Sequence, residues 1–211
     1  MTGRRHPVPL VILGAGGHAA VVRDAAEESA EFQVVAMLSD VETECGKSRG
    51  RVPVSGPIKT QVPHFPPHFA FALGIGDNSA REAYSAWLLA SARHLPIIRH
   101  PRAWVSSSAT LGPGTYVGAN ATINAGATIG SAVIVNTGAI IEHDCIIGDF
   151  CHLAPGACVA GGCHVEEAAF LGARCTLIPR IKISSRATVG AGAVVVRDVL
   201  PGRTVKGVPA S

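Results

Sequence analysis

A six-residue repeat runs through the C-terminal half of the chain and constrains its fold more than any other feature. Starting at Val105 and stepping by six, sixteen successive positions up to Val195 are Val, Leu or Ile, with no insertion. Four residues after each of them the side chain is nearly always small. One large and one small inward residue in every six predicts a short strand and a turn. Three such units close one coil of a parallel β-helix, and its stacked strands lie about 4.8 Å apart.

The repeat also assigns four of the six cysteines. Cys145, Cys151, Cys163 and Cys175 occupy the small inward position, whereas Cys158 falls one residue later in the repeat and is expected to face outward. Thiols buried in an apolar core behave as small hydrophobic side chains and are unreactive. Without a secretory signal, an even number of cysteines does not indicate disulfides. We therefore expect no catalytic or metal-binding cysteine.

The N-terminal half alternates strands and helices. Residues 8–13 and 32–40 predict strands, the second ending at Asp40, and a third strand is expected near residues 69–73. Helical patterns follow the glycine turn GAGGHA and begin again at about Ser79. This alternation predicts a small Rossmann-like α/β domain with a parallel sheet. We assign residues 1–98 to this domain and residues 99–211 to the β-helix.

Ligands of such sheets bind beyond the carboxyl ends of the strands. The candidates there for a nucleotide sugar are Gly14, Gly16, Gly17, His18, Asp40 and Asn78. The free N–H groups of the helix after the glycines suit a phosphate, and the Asp40 carboxylate lies where it can reach a ribose or base. A tight packing turn explains the glycines equally well, His18 equally fits a helix cap, and Asp40 a solvated turn. Arg81 is either a weak ligand candidate or a solvated helix residue.

Charge and hydropathy exclude other classes of function. The formal net charge is +3, and no run of Lys and Arg indicates a nucleic-acid-binding surface. The longest early apolar run, about residues 8–13, is too short for a signal peptide, and no segment approaches the length of a membrane span. We therefore expect a cytoplasmic protein without a nucleic-acid or membrane partner. The domain is too short for a six-stranded NAD-binding fold, which favours a nucleotide-linked sugar.

Several motifs together resemble one family. These are GAGGHA, GIGDN followed by Arg81, the junction HPRAWVSSSATLGPG, the stretch IEHDCIIGDFCHLAPGA and the closing VKGVPA. They resemble the bacterial hexapeptide-repeat sugar acetyltransferases, which include nucleotide-4-amino-sugar N-acetyltransferases of bacillosamine and perosamine synthesis and enzymes described as sialic acid O-acetyltransferases. The resemblance covers essentially the whole chain. It implies a left-handed β-helix, a homotrimer, and acetyl-CoA as cosubstrate between neighbouring β-helices, with no metal.

The resemblance also implies roles for individual residues. His143 is implied to be the general base and Asp144 the residue that orients it, with Glu142 as a rival. His152 is implied to lie near the acetyl group, and the Gly161 amide to bind the thioester carbonyl. The backbone at Gly172 and Ala173 is implied to line the acetyl-CoA groove. Lys206 is either a contact of a coenzyme phosphate or a plain surface lysine.

The repeat supports the first of these roles independently. His143 stands near a turn, and Gly161 lies one coil further along the same edge, because it is 18 residues later. A backbone N–H beside a histidine base is the pairing that acyl transfer requires. Alone, a histidine in such a place equally fits a polar surface turn.

We therefore expect an acetyl-CoA-dependent N-acetyltransferase acting on a nucleotide-linked 4-amino-4,6-dideoxy sugar by direct attack. The alternative is an O-acetyltransferase acting on a sialic acid or another sugar hydroxyl, for which the base chemistry is the same. A zinc lyase is a second alternative, but His143, His152 and His164 are spaced 9 and 12 residues apart and fall on different edges. A non-enzymatic nucleotide sensor is the third.

Overall fold

The computed structural model describes residues 6–211, so the first five residues of the predicted N-terminal domain lie outside the described part. It contains the two parts that the sequence predicts: a small Rossmann-like α/β domain and a left-handed parallel β-helix. No helix within residues 6–211 is long and apolar enough to cross a membrane.

The N-terminal domain is a five-stranded sheet flanked by helices. Its strands are β1 (Val8–Leu13), β2 (Phe32–Leu38), β3 (Ser48–Arg49), β4 (Val52–Ser55) and β5 (Ala70–Leu73), and its helices are α1 (Gly17–Glu28), α2 (Ile58–Gln61) and α3 (Asn78–Ala90). The strand order is β3-β4-β2-β1-β5, and only the β3–β4 pair is antiparallel. The strands β3 and β4 and the helix α2 were not predicted, because elements of two to four residues are too short for a periodic pattern to mark them.

The β-helix consists of two-residue strands on three faces. The first face contains β7 (Trp104–Val105), β10 (Thr122–Ile123), β13 (Ile140–Ile141), β16 (Cys158–Val159), β19 (Thr176–Leu177) and β22 (Val194–Val195). The second face contains β8 (Thr110–Leu111), β11 (Thr128–Ile129), β14 (Ile146–Ile147), β17 (His164–Val165) and β20 (Lys182–Ile183). The third face contains β6 (Ile98–Arg99), β9 (Tyr116–Val117), β12 (Ile134–Val135), β15 (His152–Leu153), β18 (Phe170–Leu171), β21 (Thr188–Val189) and β23 (Thr204–Val205).

The observed register confirms the repeat. Each of the sixteen predicted aliphatic positions is the second residue of a strand, and all of them except Val105 and Leu111 are buried. Strands pair in parallel with the strand three repeats later, as in Ile123 with Ile141. The four cysteines of the small inward position are at most 1% exposed, and Cys158 is half-buried at the outward-facing position of its strand.

At each edge between two faces the backbone adopts the left-handed conformation at one residue. One residue at each corner has a positive φ, at intervals of six residues from Gly114 to Gly192. Glycine adopts this conformation at no steric cost, and aspartate tolerates it better than most residues. Asp144 occupies such a position with φ +59°.

The N-terminal domain is fixed to the β-helix by a buried arginine. Arg81, near the start of α3, is 1% exposed, and its guanidinium donates to the carbonyl oxygens of Ala132 at 2.8 Å, Phe150 at 2.6 Å and Gly76 at 3.0 Å. The alternative of a solvated helix residue was therefore wrong, and a contact of Arg81 with a ligand stays a prediction. Arg81 joins α3 to the edge between the second and third faces. The residues next to Arg81 in the sequence give no indication of the carbonyl groups that it contacts there.

Candidate active site

His143 lies at the edge between the first and second faces, in the turn from β13 to β14. Its Nδ1 is 2.8 Å from Asp144 Oδ2, and the two side chains are 64% and 74% exposed. Neighbours on a strand point in opposite directions, but the left-handed backbone at Asp144 turns its carboxylate back to the ring. The residue that bonds to His143 is therefore Asp144, and the alternative, Glu142, makes no such bond among the described residues. With Nδ1–H donating to Asp144, Nε2 is left as an acceptor.

Gly161 lies directly against the other nitrogen of that ring. A Cβ at position 161 would stand only 2.5 Å from His143 Nε2, so any side chain there would displace the imidazole. The Gly161 N–H has no hydrogen-bond partner within residues 6–211. At the same position of the repeat, the Ser131 N–H donates to Asp149 Oδ1 at 2.6 Å and the Ser185 N–H donates to Glu166 Oε2 at 2.8 Å. The N–H groups of Ser131 and Ser185 thus bind carboxylate oxygens outside the prism. We infer that the Gly161 N–H can bind an oxygen in the same way, beside His143.

His152 occupies a different place, on the third face. Its Nδ1 is 3.2 Å from the Gly76 carbonyl oxygen, its Nε2 is 3.4 Å from Asn136 Nδ2, and its ring meets Phe170 edge to face at 5.1 Å. Burial first, and then the charge of Arg81, lower the pKa of His152 to about 4. The neutral ring donates from Nδ1 to Gly76 and accepts from Asn136. Asn136 was not predicted, because it stands 16 residues before His152 in the sequence and reaches it only from the neighbouring coil.

The remaining predicted acetyl-CoA residues lie at the edge between the third and first faces. The Gly172 N–H is already bonded to the Val189 carbonyl at 2.8 Å, and a Cβ at Gly172 would meet Ala191 N at 2.6 Å. A Cβ at Gly190, one coil further, would be 3.0 Å from Lys206 Cβ. Gly172, Ala173 and Lys206 thus follow one edge of the prism. Within one chain they lie on a different edge from His143 and Gly161.

A cavity of about 380 Å³ opens at the carboxyl ends of β1 and β2, where a nucleotide is predicted. Gly14, Gly16, Asp40 and Tyr84 are among its lining residues. Gly14 has φ +107°, and a Cβ there would be 2.6 Å from the Gly74 carbonyl oxygen, which is the requirement of a packing turn. Positions 16 and 17 face open space, and Gly16 begins α1 without a side-chain cap. The packing-turn interpretation therefore applies to Gly14, whereas Gly16 and Gly17 leave the space that the ligand interpretation requires.

Asp40 forms bonds within the protein on the wall of this cavity. Its Oδ1 accepts from the Ile58 N–H at 2.7 Å, at the start of α2, and its Oδ2 accepts from the Tyr84 hydroxyl. Burial and the hydrogen bond to Asp40 raise the pKa of Tyr84 to about 12, so the hydroxyl keeps its proton. Tyr84 was missed because nothing in the pattern of α3 distinguishes it.

His18 and Asn78 lie where the two domains meet and do not line the cavity. The His18 ring meets Tyr116 edge to face at 5.2 Å and lies 6.3 Å from the ring of His152. Asn78 Nδ2 donates to the Ala168 carbonyl at 2.9 Å, and its Oδ1 accepts from Arg81 at 2.8 Å. Both ends of the Asn78 amide are thus bonded within the protein.

The three histidines of the zinc-lyase alternative do not converge. His143 lies at the edge of the first and second faces, His152 on the third face and His164 on the second. Among residues 6–211 no group of three His, Cys, Asp or Glu side chains is arranged to hold a metal ion.

The buried histidines predict an acid-sensitive fold. Burial lowers the pKa of His18 to about 3 and that of His152 to about 4, below the ordinary value of 6.5. The unfolded chain therefore binds more protons below pH 6.5, and stability falls as the pH drops from about 6.5 toward 4, by at most about 1.4 kcal/mol per pH unit for each histidine. We expect urea midpoints at fixed protein concentration to fall on acidification, and His152→Asn to reduce that slope. An exposed control, His164→Asn, should leave it unchanged; equal slopes in all three proteins would contradict the prediction.

The fold and the site together define a hexapeptide-repeat protein with an α/β domain at its N-terminus. Residues 9–88 match the family model described as PglD N-terminal domain. The chain is 34% identical to the acetyltransferase domain of PglB from Neisseria gonorrhoeae, with a TM-score of 0.92 over 97% of this chain and 98% of that one. It is 37% identical to PerB from Caulobacter crescentus, solved in complex with CoA and GDP-perosamine, with a TM-score of 0.87 over 96% of each chain.

A curated relative from Bacillus subtilis (strain 168) is UDP-N-acetylbacillosamine N-acetyltransferase, which is 36% identical over 109 residues. That match spans about half of each protein, 50% of this chain and 49% of the relative. The chain belongs to the family of bacterial hexapeptide-repeat sugar acetyltransferases.

Proposed function

We propose that this protein transfers the acetyl group of acetyl-CoA to the amino group of a nucleotide-linked 4-amino-4,6-dideoxy sugar. The observation that carries the proposal is the arrangement at residues 143, 144 and 161: a carboxylate holds Nδ1 of His143, and Nε2 lies against Gly161, whose N–H has no partner within residues 6–211. The relatives that bind or act on bacillosamine and perosamine nucleotides support an amine as the acceptor.

The arrangement supports direct transfer without an acyl-enzyme. His143 Nε2 takes a proton from the sugar amine as the amine nitrogen attacks the thioester carbonyl. The carbonyl oxygen gains negative charge, and the outward Gly161 N–H stabilises it. The C–S bond then breaks, and the proton on Nε2 passes to the departing CoA sulfur. Asp144 holds the ring in one orientation throughout.

The nucleotide is proposed to occupy the cavity lined by Gly16 and Asp40. The N–H groups at the start of α1, left open by Gly16 and Gly17, suit the diphosphate. Asp40 and Tyr84 form the wall where a ribose or base would lie. His18 and Asn78 are proposed to hold the loops beside the sugar, since both lie at the junction of the domains.

The coenzyme is proposed to lie between two chains of a homotrimer. His143 and Gly161 are on one edge of the prism, whereas Gly172, Ala173 and Lys206 are on another, so a second chain is needed to bring both sets to one coenzyme. His152 is proposed to lie near the acetyl group from the third face.

The outward side chains of the first face support this assembly. They form an uncharged column in register: Trp104, Thr122, Ile140, Cys158, Thr176 and Val194. Trp104 is 61% exposed and Ile140 is 37% exposed in the single chain, as expected of a surface that another chain covers. Sedimentation equilibrium is expected to give three chains per particle.

The cytoplasm is the proposed compartment, in keeping with the six cysteines, which are all free thiols.

The test of the proposed function is acetyl transfer to a panel of acceptors. UDP-, GDP- and dTDP-linked 4-amino sugars, their 4-hydroxy counterparts and free sialic acid are each incubated with acetyl-CoA, and products are identified by mass spectrometry. We expect acetylation of at least one nucleotide-linked amino sugar and none of its hydroxyl counterpart. Transfer only to hydroxyl groups or free sugars would overturn the proposal in favour of an O-acetyltransferase.

A further inference from the structure

Cys145 stands two residues after His143 and enters the interior of the prism. Its side chain is 0% exposed, and its Sγ lies 3.2 Å from the carbonyl oxygen of Ala160, one coil further along. The neighbouring Cys163 thiol and burial raise the pKa of Cys145, so the group keeps its proton and donates it to this oxygen. The thiol thus contacts the residue that precedes Gly161.

The first two turns of the same edge make a bond of their own at this carbonyl, which the turn that starts at Glu142 lacks among the described residues. In those turns the carbonyl accepts from the N–H three residues later, as in Ala109 to Ser106 at 3.1 Å and Ala127 to Asn124 at 3.3 Å. Among the described residues no such bond closes the turn that starts at Ala160. The Cys145 thiol is therefore the one donor to the Ala160 carbonyl among the described residues.

The Ala160 carbonyl and the Gly161 N–H belong to one peptide unit. A trans peptide is planar, and its C=O and N–H point in opposite directions. Drawing the carbonyl into the prism directs the N–H outward, on a residue that lies against His143 Nε2. If the unit rotated, the N–H would no longer point outward, and the negative end of the carbonyl dipole would do so instead.

We propose that Cys145 is a positioning residue for acetyl transfer: its buried thiol holds the Gly161 N–H toward the thioester oxygen. The inference rests on the proposed function, which gives the Gly161 N–H its role. The repeat alone predicts only that Cys145 is a small side chain of the core; the proposal adds a role in catalysis.

The chain provides a matched control and a conservative substitute. Cys163 occupies the same position one coil later, and its Sγ lies 3.2 Å from the Ile178 carbonyl oxygen, but the next residue is Pro179, so that peptide has no N–H to direct. A hydroxyl also fits this position of the repeat, because Thr115 Oγ1 donates to the Gly130 carbonyl at 2.8 Å.

The kinetic test compares three variants at matched folded fraction and oligomeric state. Cys145→Ala is expected to lower kcat by about threefold to tenfold, the range of a single hydrogen bond, with KM for both substrates unchanged. Cys145→Ser should restore kcat to within about twofold, and Cys163→Ala should stay within about twofold of the unaltered protein. Equal losses in Cys163→Ala and Cys145→Ala, or no recovery with serine, would overturn the inference.

An NMR measurement separates this inference from the proposed function. Labelling with carbonyl-¹³C alanine and ¹⁵N glycine selects the amides of Ala–Gly pairs, which include Gly161. We expect the Gly161 amide resonance to shift in Cys145→Ala, to return toward its original position in Cys145→Ser and to stay in place in Cys163→Ala. If the protein transfers acetyl groups but this resonance does not move, the inference fails while the proposed function stands. If the resonance moves but no amino sugar is acetylated, the proposed function is the part that fails.

Discussion

Replacing His143 with alanine is expected to lower kcat by about 100- to 10,000-fold, the range that a positioned general base contributes. The Nδ1 of the ring is held by Asp144, and its Nε2 lies against Gly161, which leaves Nε2 placed to take a proton at this edge. KM should change little, because the side chain acts on the proton of the amine rather than on binding. Initial rates with a saturating nucleotide-linked amino sugar measure the effect.

The control for this variant is a second exposed histidine of the prism. His164 lies on the second face and has no part in the proposed site, so His164→Ala should keep kcat within about twofold. Because His143 is 64% exposed, its replacement should leave the thermal midpoint almost unchanged. A His143→Ala protein with full transfer activity would remove the catalytic assignment and favour a nucleotide sensor.

Replacing Arg81 with methionine is expected to lower the free energy of unfolding by about 3 kcal/mol or more, because several buried carbonyl groups lose their donor at once. Methionine fills most of the volume, so the loss reports the hydrogen bonds rather than an empty cavity. The carbonyls of Ala132, Phe150 and Gly76 come from the β-helix and from the loop before α3, so their loss should also loosen the junction of the two domains. Urea unfolding at fixed protein concentration measures the change.

Arg186 is the matched arginine for this comparison. Its guanidinium pairs with Glu82 at 3.0 Å across the same junction, but its side chain is 51% exposed. Arg186→Met should therefore cost no more than about 1 kcal/mol, as surface ion pairs do. Equal losses in the two variants would show that burial of the Arg81 network does not matter.

The β-helix was predictable because its backbone imposes the pattern. Every coil has the same three corners, so an inward residue must recur every six positions, and Val105 to Val195 do so without a break. The left-handed corner residues were not predictable in the same way. The backbone there accepts Asn120, Asp144 and Phe150 as well as glycine, so no single residue type marks the position.

The sequence predicted only those parts of the candidate site whose positions follow from the 18-residue period of the coil. A spacing of 18 residues places Gly161 beside His143, and the resemblance names both. The choice between Glu142 and Asp144 depends on the φ of one residue, which no pattern shows. Arg81, Asn136 and Tyr84 act through partners far away in the sequence: in the other domain for Arg81, on the next coil for Asn136 and across the N-terminal domain for Tyr84. Their roles therefore follow from the packing alone.

The most direct test of His143 as the base is the position of bound substrates in crystals of the protein soaked with CoA and a nucleotide-linked amino sugar. We expect the CoA sulfur at the edge between the first and second faces of one chain, with the sugar amine within hydrogen-bond distance of His143 Nε2. The nucleotide should lie in the cavity beside Gly16 and Asp40. A sulfur bound at another edge, with His143 facing only solvent, would contradict the role of His143 as the base.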